Sequence, residues 1–385
     1  MEEGLKLIPV ARPSITDEEI RAVAEVLRSA WLGPGQRVTE FEAAFAEVVG
    51  SAHAISTHTG TSALATTMAV LGVSPGDEVI IPTFTFMAAF QVVRHLGGTP
   101  VFADVEPDRF TLDPADVERR ISLRTRGILA VHHGGHPANI RELQRIADRA
   151  GIWLIEDAAH ALGGTNEEGR PYGSLCRASC FSLGPVKNLT TGDGGMITTP
   201  DADLARRFAS YRSLGQDLNV WARYGAGTEQ RTQRWAYSIS GPGQRMHMND
   251  IAAAMGLVQL RRLPEMNRRR GRLVARYQQA FADIKGFRWV EPVPDSRPNW
   301  HMFTVSMDHR EEFISGMRDR GIAVGVHYHP VHLYPIAAPF HTPLPVTERI
   351  WQRVTTFPLF TDMTEAEQDR VIQASRELAT RLDLV

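Results

Sequence analysis

Short apolar runs that alternate with helical stretches confine this chain to a small set of folds. The runs cover 78–82, 100–103, 127–131, 152–155, 178–182 and 195–199. Between several of them lie amphipathic segments. Residues 61–71 place Leu64, Met68 and Leu71 on one face, and 139–150 space Ile140, Leu143, Ile146 and Ala147 as a stripe. Near-continuous apolar strands alternating with helices require a mostly parallel sheet covered on both faces. The reading is an α/β domain.

Other segments frame that domain. Residues 16–30 read as a helix with Thr16 as N-cap and Glu19 three residues on, a capping box. A long helix is predicted from Asn249 to about Phe281. Its arginines after Pro264 (Arg268, Arg269, Arg270, Arg272 and Arg276) read as a solvated face, because the chain carries no net basic charge to make a binding patch. Pro292, Pro294 and Pro298 punctuate a boundary. Beyond it, strand-like 301–306 and helix-like 310–320 and 364–381 form a smaller α+β unit. We divide the chain into residues 1–265, a large domain with an N-terminal arm, and residues 266–385, a small C-terminal domain.

Charge and cysteine content narrow the function. Forty-two Lys plus Arg face 44 Asp plus Glu, a formal net charge of −2, which offers no general attraction to nucleic-acid phosphates. The two cysteines, Cys176 and Cys180, make neither a disulfide framework nor a complete zinc site. The amino terminus lacks the pattern of a signal peptide, and no apolar run reaches the ~20 residues that span a bilayer. The expectation is a cytoplasmic protein with no membrane and no nucleic-acid partner. Its only lysines are Lys6, Lys187 and Lys285, so chemistry that needs a primary amine has few candidates.

In an open parallel sheet, ligands gather at the carboxyl ends of the strands. Asp157 follows the run 152–155, Ser182 closes 178–182, and Lys187 comes five residues later, ahead of the glycine-rich stretch 192–195. Upstream, Gly60-Thr61-Ser62 opens a helix, where free N–H groups and the helix dipole favour an anion. Each feature has a plain alternative. Gly60 suits a loop, Thr61 or Ser62 an N-cap, Asp157 a cap or buried acceptor, and Lys187 an exposed loop. Together they match the needs of pyridoxal phosphate (PLP): an amine to condense with its aldehyde, an anion site for its phosphate, and a carboxylate for its ring nitrogen.

These residues occur within a longer series. It comprises Gly60-Thr61-Ser62-Ala63-Leu64, 76–86 (GDEVIIPTFTF), 100–105 (PVFADV), Glu156-Asp157-Ala158-Ala159-His160-Ala161, 187–195 (KNLTTGDGG) and 247–254 (HMNDIAAA). The series resembles the DegT/StrS sugar aminotransferases over nearly the whole chain. The resemblance implies the type I, aspartate-aminotransferase-like fold, with a mostly parallel mixed sheet in the large domain. It implies that Lys187 carries the cofactor and shuttles protons, that Asp157 pairs with the ring nitrogen, and that His160 lies near the ring hydroxyl. Phe86 would stack on the ring, and Gly60, Thr61, Ser62 and Ser182 would hold the phosphate.

In that family an asparagine often reaches the partner subunit's cofactor phosphate. Here Arg245 stands at its place in Gly243-Gln244-Arg245-Met246-His247, with His247 the neighbouring alternative. A homodimer with its active site at the subunit interface is implied. Residues 215–241, with Trp221, Tyr224, Trp235 and Tyr237, are longer than the pattern expects and either shape the substrate site or pack as a loop. The segment His327-Tyr328-His329-Pro330-Val331-His332 has the look of a metal cluster, yet the resemblance makes it a loop bordering the substrate pocket, with His327, Tyr328 and His329 as the substrate residues, so no metal is expected. The implied reaction passes an amino group from an amino acid, glutamate foremost, to a keto-sugar, most simply a nucleotide-linked keto-deoxysugar in amino-sugar or antibiotic biosynthesis. Aminocyclitol acceptors, a PLP-dependent sugar dehydratase, and a PLP-binding regulator without turnover are the alternatives.

Overall fold

Apolar residues on both faces of a strand demand cover on both sides, and the main sheet meets that demand. The computed structural model describes residues 7–217, 220–225, 233 and 235–385. Seven strands form the sheet: β1 (His53–Thr57), β2 (Glu78–Pro82), β3 (Thr99–Ala103), β4 (Thr125–Val131), β5 (Trp153–Asp157), β6 (Ser179–Ser182) and β7 (Gly195–Thr199). Their spatial order is β1-β7-β6-β5-β4-β2-β3. From β6 to β3 every neighbouring pair is parallel, and β7 alone runs against the rest. The carboxyl ends of β1, β2, β4, β5 and β6 therefore share one edge. Gly127 makes room for its neighbour in this sheet, since a Cβ there would lie 2.1 Å from the Trp153 ring.

Helices cover both faces. The helix Gly60–Val70 buries Ser62, Ala63, Leu64, Thr66, Thr67, Met68 and Val70. Burial nearly all round replaces the single apolar face read from the sequence, because this helix lies between the sheet and other helices. At the amino end, the helix Asp17–Ser29 starts at the expected capping box, with Thr16 N donating to Glu19 Oε2 at 2.8 Å. Among the described residues no helix is long and apolar enough to cross a membrane. Both cysteines are buried, and burial pushes their thiols well above the usual range.

A second sheet of three antiparallel strands, β8 (Arg288–Trp289), β9 (Phe303–Ser306) and β10 (Val354–Phe357), has the order β10-β9-β8. Its core is aromatic: Tyr277 stacks on Phe303 with ring centres 5.5 Å apart, and Phe281, Phe287, Phe313 and Phe357 surround them. The 31-residue helix Asp250–Ala280 joins the two cores. Ala253, Leu260 and Leu263 pack with the main sheet, and Leu273, Val274 and Tyr277 with the second. The boundary we propose at 265/266 lies inside this helix, next to Pro264. Packing crosses it in both directions, since Ile8 is buried in the second core while Val331, Ala337 and Leu344 are buried in the first.

The arginines of this helix do not all behave as the sequence suggested. Arg268 and Arg272 pair with Glu265, and Arg276 with Asp369, all at the surface. Arg270 is buried instead. Its Nε donates to Trp300 O at 2.8 Å and its guanidinium to His301 O at 2.7 Å, and burial lowers its pKa to about 10. That change of role fixes the segment carrying His301.

Candidate active site

Parallel strands deliver their last residues to a common edge, and the polar side chains there form one cluster. Asp157 ends β5 and is buried. Burial pushes its carboxyl up, opposed by the Ala159 N–H at 3.0 Å, by Lys187 and by His132. Lys187 sits in the loop between β6 and β7, half-buried, and among the described residues no hydrogen bond reaches its Nζ. Burial lowers its pKa to about 8, although the Asp157 charge acts the other way. The loop thus brings together the amine and the carboxylate singled out by the sequence.

The phosphate turn has a cap that sequence reading did not assign. Thr59, not Thr61 or Ser62, is the N-cap: its Oγ1 accepts from Ser62 N at 3.0 Å. The Ser62 hydroxyl is engaged with Thr59 Oγ1 at 2.7 Å and His58 Nε2 at 3.2 Å. Gly60 N and Thr61 N head the helix without an acceptor among the described residues. Gly60 is glycine for close approach, because a Cβ would meet Ser182 Cβ at 2.7 Å. Helix start and β6 end are thereby pressed together, with Thr61 exposed and Ser182 half-buried.

Histidines line the opposite wall. His160 Nδ1 accepts from Gly134 N at 3.4 Å, which places the ring proton on Nε2, 3.1 Å from Tyr328 Oη. The ring stacks on His301 at 4.4 Å. His301 Nδ1 meets Asn188 Oδ1 at 2.9 Å, and Asn188 Nδ2 donates to Asn267 Oδ1 at 2.8 Å and Asn299 O at 2.9 Å. His133 Nε2 lies 3.1 Å from the His327 carbonyl and so donates to it; its ring stacks on Phe84 at 4.9 Å. Burial lowers His133 to about 3 and His327 to about 4, and drives His160 and His301 well down. The wall is uncharged at neutral pH.

Of the sequence candidates, Lys187, Asp157, His160, His327 and Tyr328 converge. Phe86, 57% exposed, lies near Tyr328 with ring centres 6.1 Å apart. The His329 ring instead packs against Tyr334 at 4.6 Å and Trp351 at 4.9 Å. Arg245 is exposed and lines a cavity of about 550 Å³ with Trp31, Trp221, Arg212 and His247. Its neighbour Met246 runs beside the phosphate turn, accepting from His58 N at 2.8 Å. Of the stretch 215–241, residues 218–219, 226–232 and 234 lie outside the described residues.

His133 and His301 were missed. His133 had a usable signal, since His132-His133 directly follows the apolar run of β4, the same strand-end position that singled out Asp157. His301 had none, because the small unit and Arg270 bring it in.

The donor set fits pyridoxal phosphate. Two free N–H groups and hydroxyls gather at a helix start, a buried carboxylate faces an amine with lowered pKa, and an exposed aromatic stands beside them. The pH response of the amine can be measured directly. Acetylation of Lys187 in cofactor-free protein, followed by peptide mass spectrometry, is expected to half-saturate near pH 8 rather than the ordinary 10.5. Only the unprotonated amine reacts, so labelling rises with pH. A midpoint at 10 or above would mean a solvated side chain.

Comparisons with known proteins identify the family. The model of the DegT/DnrJ/EryC1/StrS aminotransferase family matches residues 13–376. The spore coat polysaccharide biosynthesis protein SpsC of Bacillus subtilis (strain 168) is 35% identical over 387 residues, covering 98% of each chain. The crystal structure of the aminotransferase TlmJ from Streptoalloteichus hindustanus superposes with a TM-score of 0.91 at 32% identity, over 98% of this chain and 100% of that one. DesV of S. venezuelae, solved in complex with a ketimine intermediate, gives 0.85 at 36% identity over 94% of both. With a match that spans almost the entire length, the chain belongs to the DegT/DnrJ/EryC1/StrS aminotransferase family and is a PLP-dependent sugar aminotransferase.

Proposed function

We propose that this aminotransferase moves an amino group from glutamate to a nucleotide-linked keto-deoxysugar. The observation that carries the reading is the half-buried Lys187, its pKa lowered to about 8, acting electrostatically with buried Asp157 at the strand edge. The naming of SpsC for spore coat polysaccharide biosynthesis supports a sugar acceptor. When bound, pyridoxal phosphate supplies an electron sink for charge that develops on the substrate carbon.

The chain's own residues do the rest. Lys187 Nζ, far easier to deprotonate than an ordinary lysine, takes a proton from the donor's α-carbon and returns one in the second half of the cycle. Asp157 holds a proton on the ring nitrogen, since a buried carboxylate gains most from a cationic partner. Gly60 N, Thr61 and Ser182 hold the phosphate; Ser62 contributes its place in the turn, its hydroxyl being committed to Thr59 and His58. His160, its Nε2–H directed at Tyr328 Oη, would lie near the ring hydroxyl, and Phe86 would cover the ring face. His327 and Tyr328 border the substrate. Beside them a cavity of about 260 Å³, lined by Val10, Ala11, Val186, His301, His327 and Tyr328, gives the substrate room.

The site belongs to a cytoplasmic homodimer in this reading. Leu214 leaves an apolar side chain uncovered in the cavity that Arg245 lines, and Trp235, Tyr237 and Ile239 are exposed as well, which suits a subunit interface. Arg245 would then reach the phosphate held by the partner subunit.

Mixing the loaded enzyme with glutamate tests the reaction. The absorbance near ~420 nm is expected to give way to a band near ~330 nm, with one equivalent of 2-oxoglutarate released per site. A regulator without turnover releases none. Asp157→Asn is expected to keep the fold and slow this half-reaction by about 10²–10³-fold; an unaltered rate would remove Asp157 from the mechanism.

A further inference from the structure

A second cluster of ligating side chains lies outside the catalytic residues, in the segment 332–348. Its centre is His332, whose side chain is fully buried. Thr83 grips it from behind: Val331 N donates to Thr83 O at 2.9 Å, His332 N donates to Thr83 Oγ1 at 3.0 Å, and Nδ1 lies 2.8 Å from the same hydroxyl. Held this way, Nε2 has one direction to face, and there it meets Glu348 Oε1 at 3.3 Å. Glu348 sits on the helix Pro345–Trp351, which Asp104 anchors by accepting from Val346 N at 3.0 Å and Thr347 N at 2.8 Å. His341, at the end of the turn Pro335–Phe340, brings a second imidazole with its ring centre 5.5 Å from that of His332. One ligand atom from each of the three lies within 4.8 Å of the others.

We propose that His332, His341 and Glu348 form a site for one divalent transition-metal ion, with zinc the best fit. In a tetrahedral site, bonds of about 2.0–2.1 Å put neighbouring ligand atoms about 3.3 Å apart. The His332–Glu348 pair already has that spacing. His341 is exposed, so its ring is free to close the remaining distance. Two imidazoles and one carboxylate without a thiolate suit zinc better than calcium or magnesium, which prefer all-oxygen shells. Three protein ligands leave a fourth position for water on the exposed side. On binding, the His332 proton resides on Nδ1 and is donated to Thr83 Oγ1, leaving the Nε2 lone pair for the metal. A hydrogen-bonding partner behind the ring is the arrangement that orients metal-ligating histidines. Thr83 lies three residues before Phe86, so the ion would tie the loop after β2 to the segment that follows His327 and Tyr328.

The test uses the full-length, untagged holoenzyme stripped with EDTA. Equilibrium dialysis against zinc is expected to give one ion per chain, and cobalt(II) in its place the intense visible bands of tetrahedral coordination. His341→Ala removes an exposed ligand outside the catalytic cluster. In metal-free buffer it should transaminate like the wild type, yet bind zinc about 100-fold or more weakly and lose the tetrahedral cobalt spectrum. Glu348→Gln should weaken zinc binding in the same way. A wild-type protein that binds no zinc, or a His341→Ala variant that binds it as tightly as wild type, overturns the site.

Discussion

Replacing Lys187 by alanine is expected to cut amino transfer by about 10⁴-fold or more, the largest effect of any single substitution in this chain. The reason is numerical as well as chemical. Lys6 and Lys285 are the only other lysines, and Lys285, in the turn after the long helix, lies outside the strand-edge cluster. Loss of Lys187 therefore removes both the covalent anchor for the cofactor and the base that moves the proton. Borohydride treatment followed by intact mass measurement gives a second readout. The wild-type protein gains one reduced cofactor per chain and the variant gains none. A variant that still becomes labelled would place the anchor elsewhere and dismantle the assignment.

Glu156→Ala is expected to destabilise the fold by about 3–5 kcal/mol, enough to deprive a typical domain of much of its margin. Glu156 is completely buried beside Asp157, and its carboxylate accepts from five donors. Oε2 accepts from Gly173 N at 3.0 Å and from His132 Nε2 at 3.0 Å; Oε1 accepts from Leu175 N at 3.0 Å, Cys176 N at 2.9 Å and Ser179 Oγ at 2.9 Å. His132 Nδ1 accepts from Ala138 N at 3.0 Å, so the neutral ring already has its proton on Nε2 for Glu156. Burial alone would raise the carboxyl, but these donors outweigh it and hold the pKa below 4.5. The stabilisation is present above pH 4.5 and is lost as acid protonates the group through its lowered pKa. Urea titration at pH 7 measures the loss; a change under 1 kcal/mol would mean that the five donors find other acceptors.

Much of this architecture was readable in advance. The runs at 78–82, 127–131 and 195–199 became strands because apolar side chains on both faces leave a chain few alternatives, and the capping box at Thr16 formed as read. β1 was not recognised as a strand, because His53-Ala54-Ile55-Ser56-Thr57 has no apolar run of its own and is paired and buried by β7. The reversed direction of β7 was likewise invisible, since direction is set by the connection and not by composition.

At the site, Asp157 and Lys187 stood out because strand-end position and chemistry coincide in one local stretch. His301 did not. Its place depends on Arg270, thirty-one residues earlier, giving up solvent to hold two carbonyls. Thr59 was passed over for Thr61 and Ser62 because cap choice depends on where the strand before it stops.

The interior position of both sulfhydryls has a practical side. Cys176 and Cys180 are 6% and 1% exposed, and their thiols resist ionisation, so thiol-directed reagents find no ready thiolate on the native protein. A cysteine introduced at the fully exposed Leu123 would then be the preferred attachment point for a fluorophore, with no need to strip the native pair first.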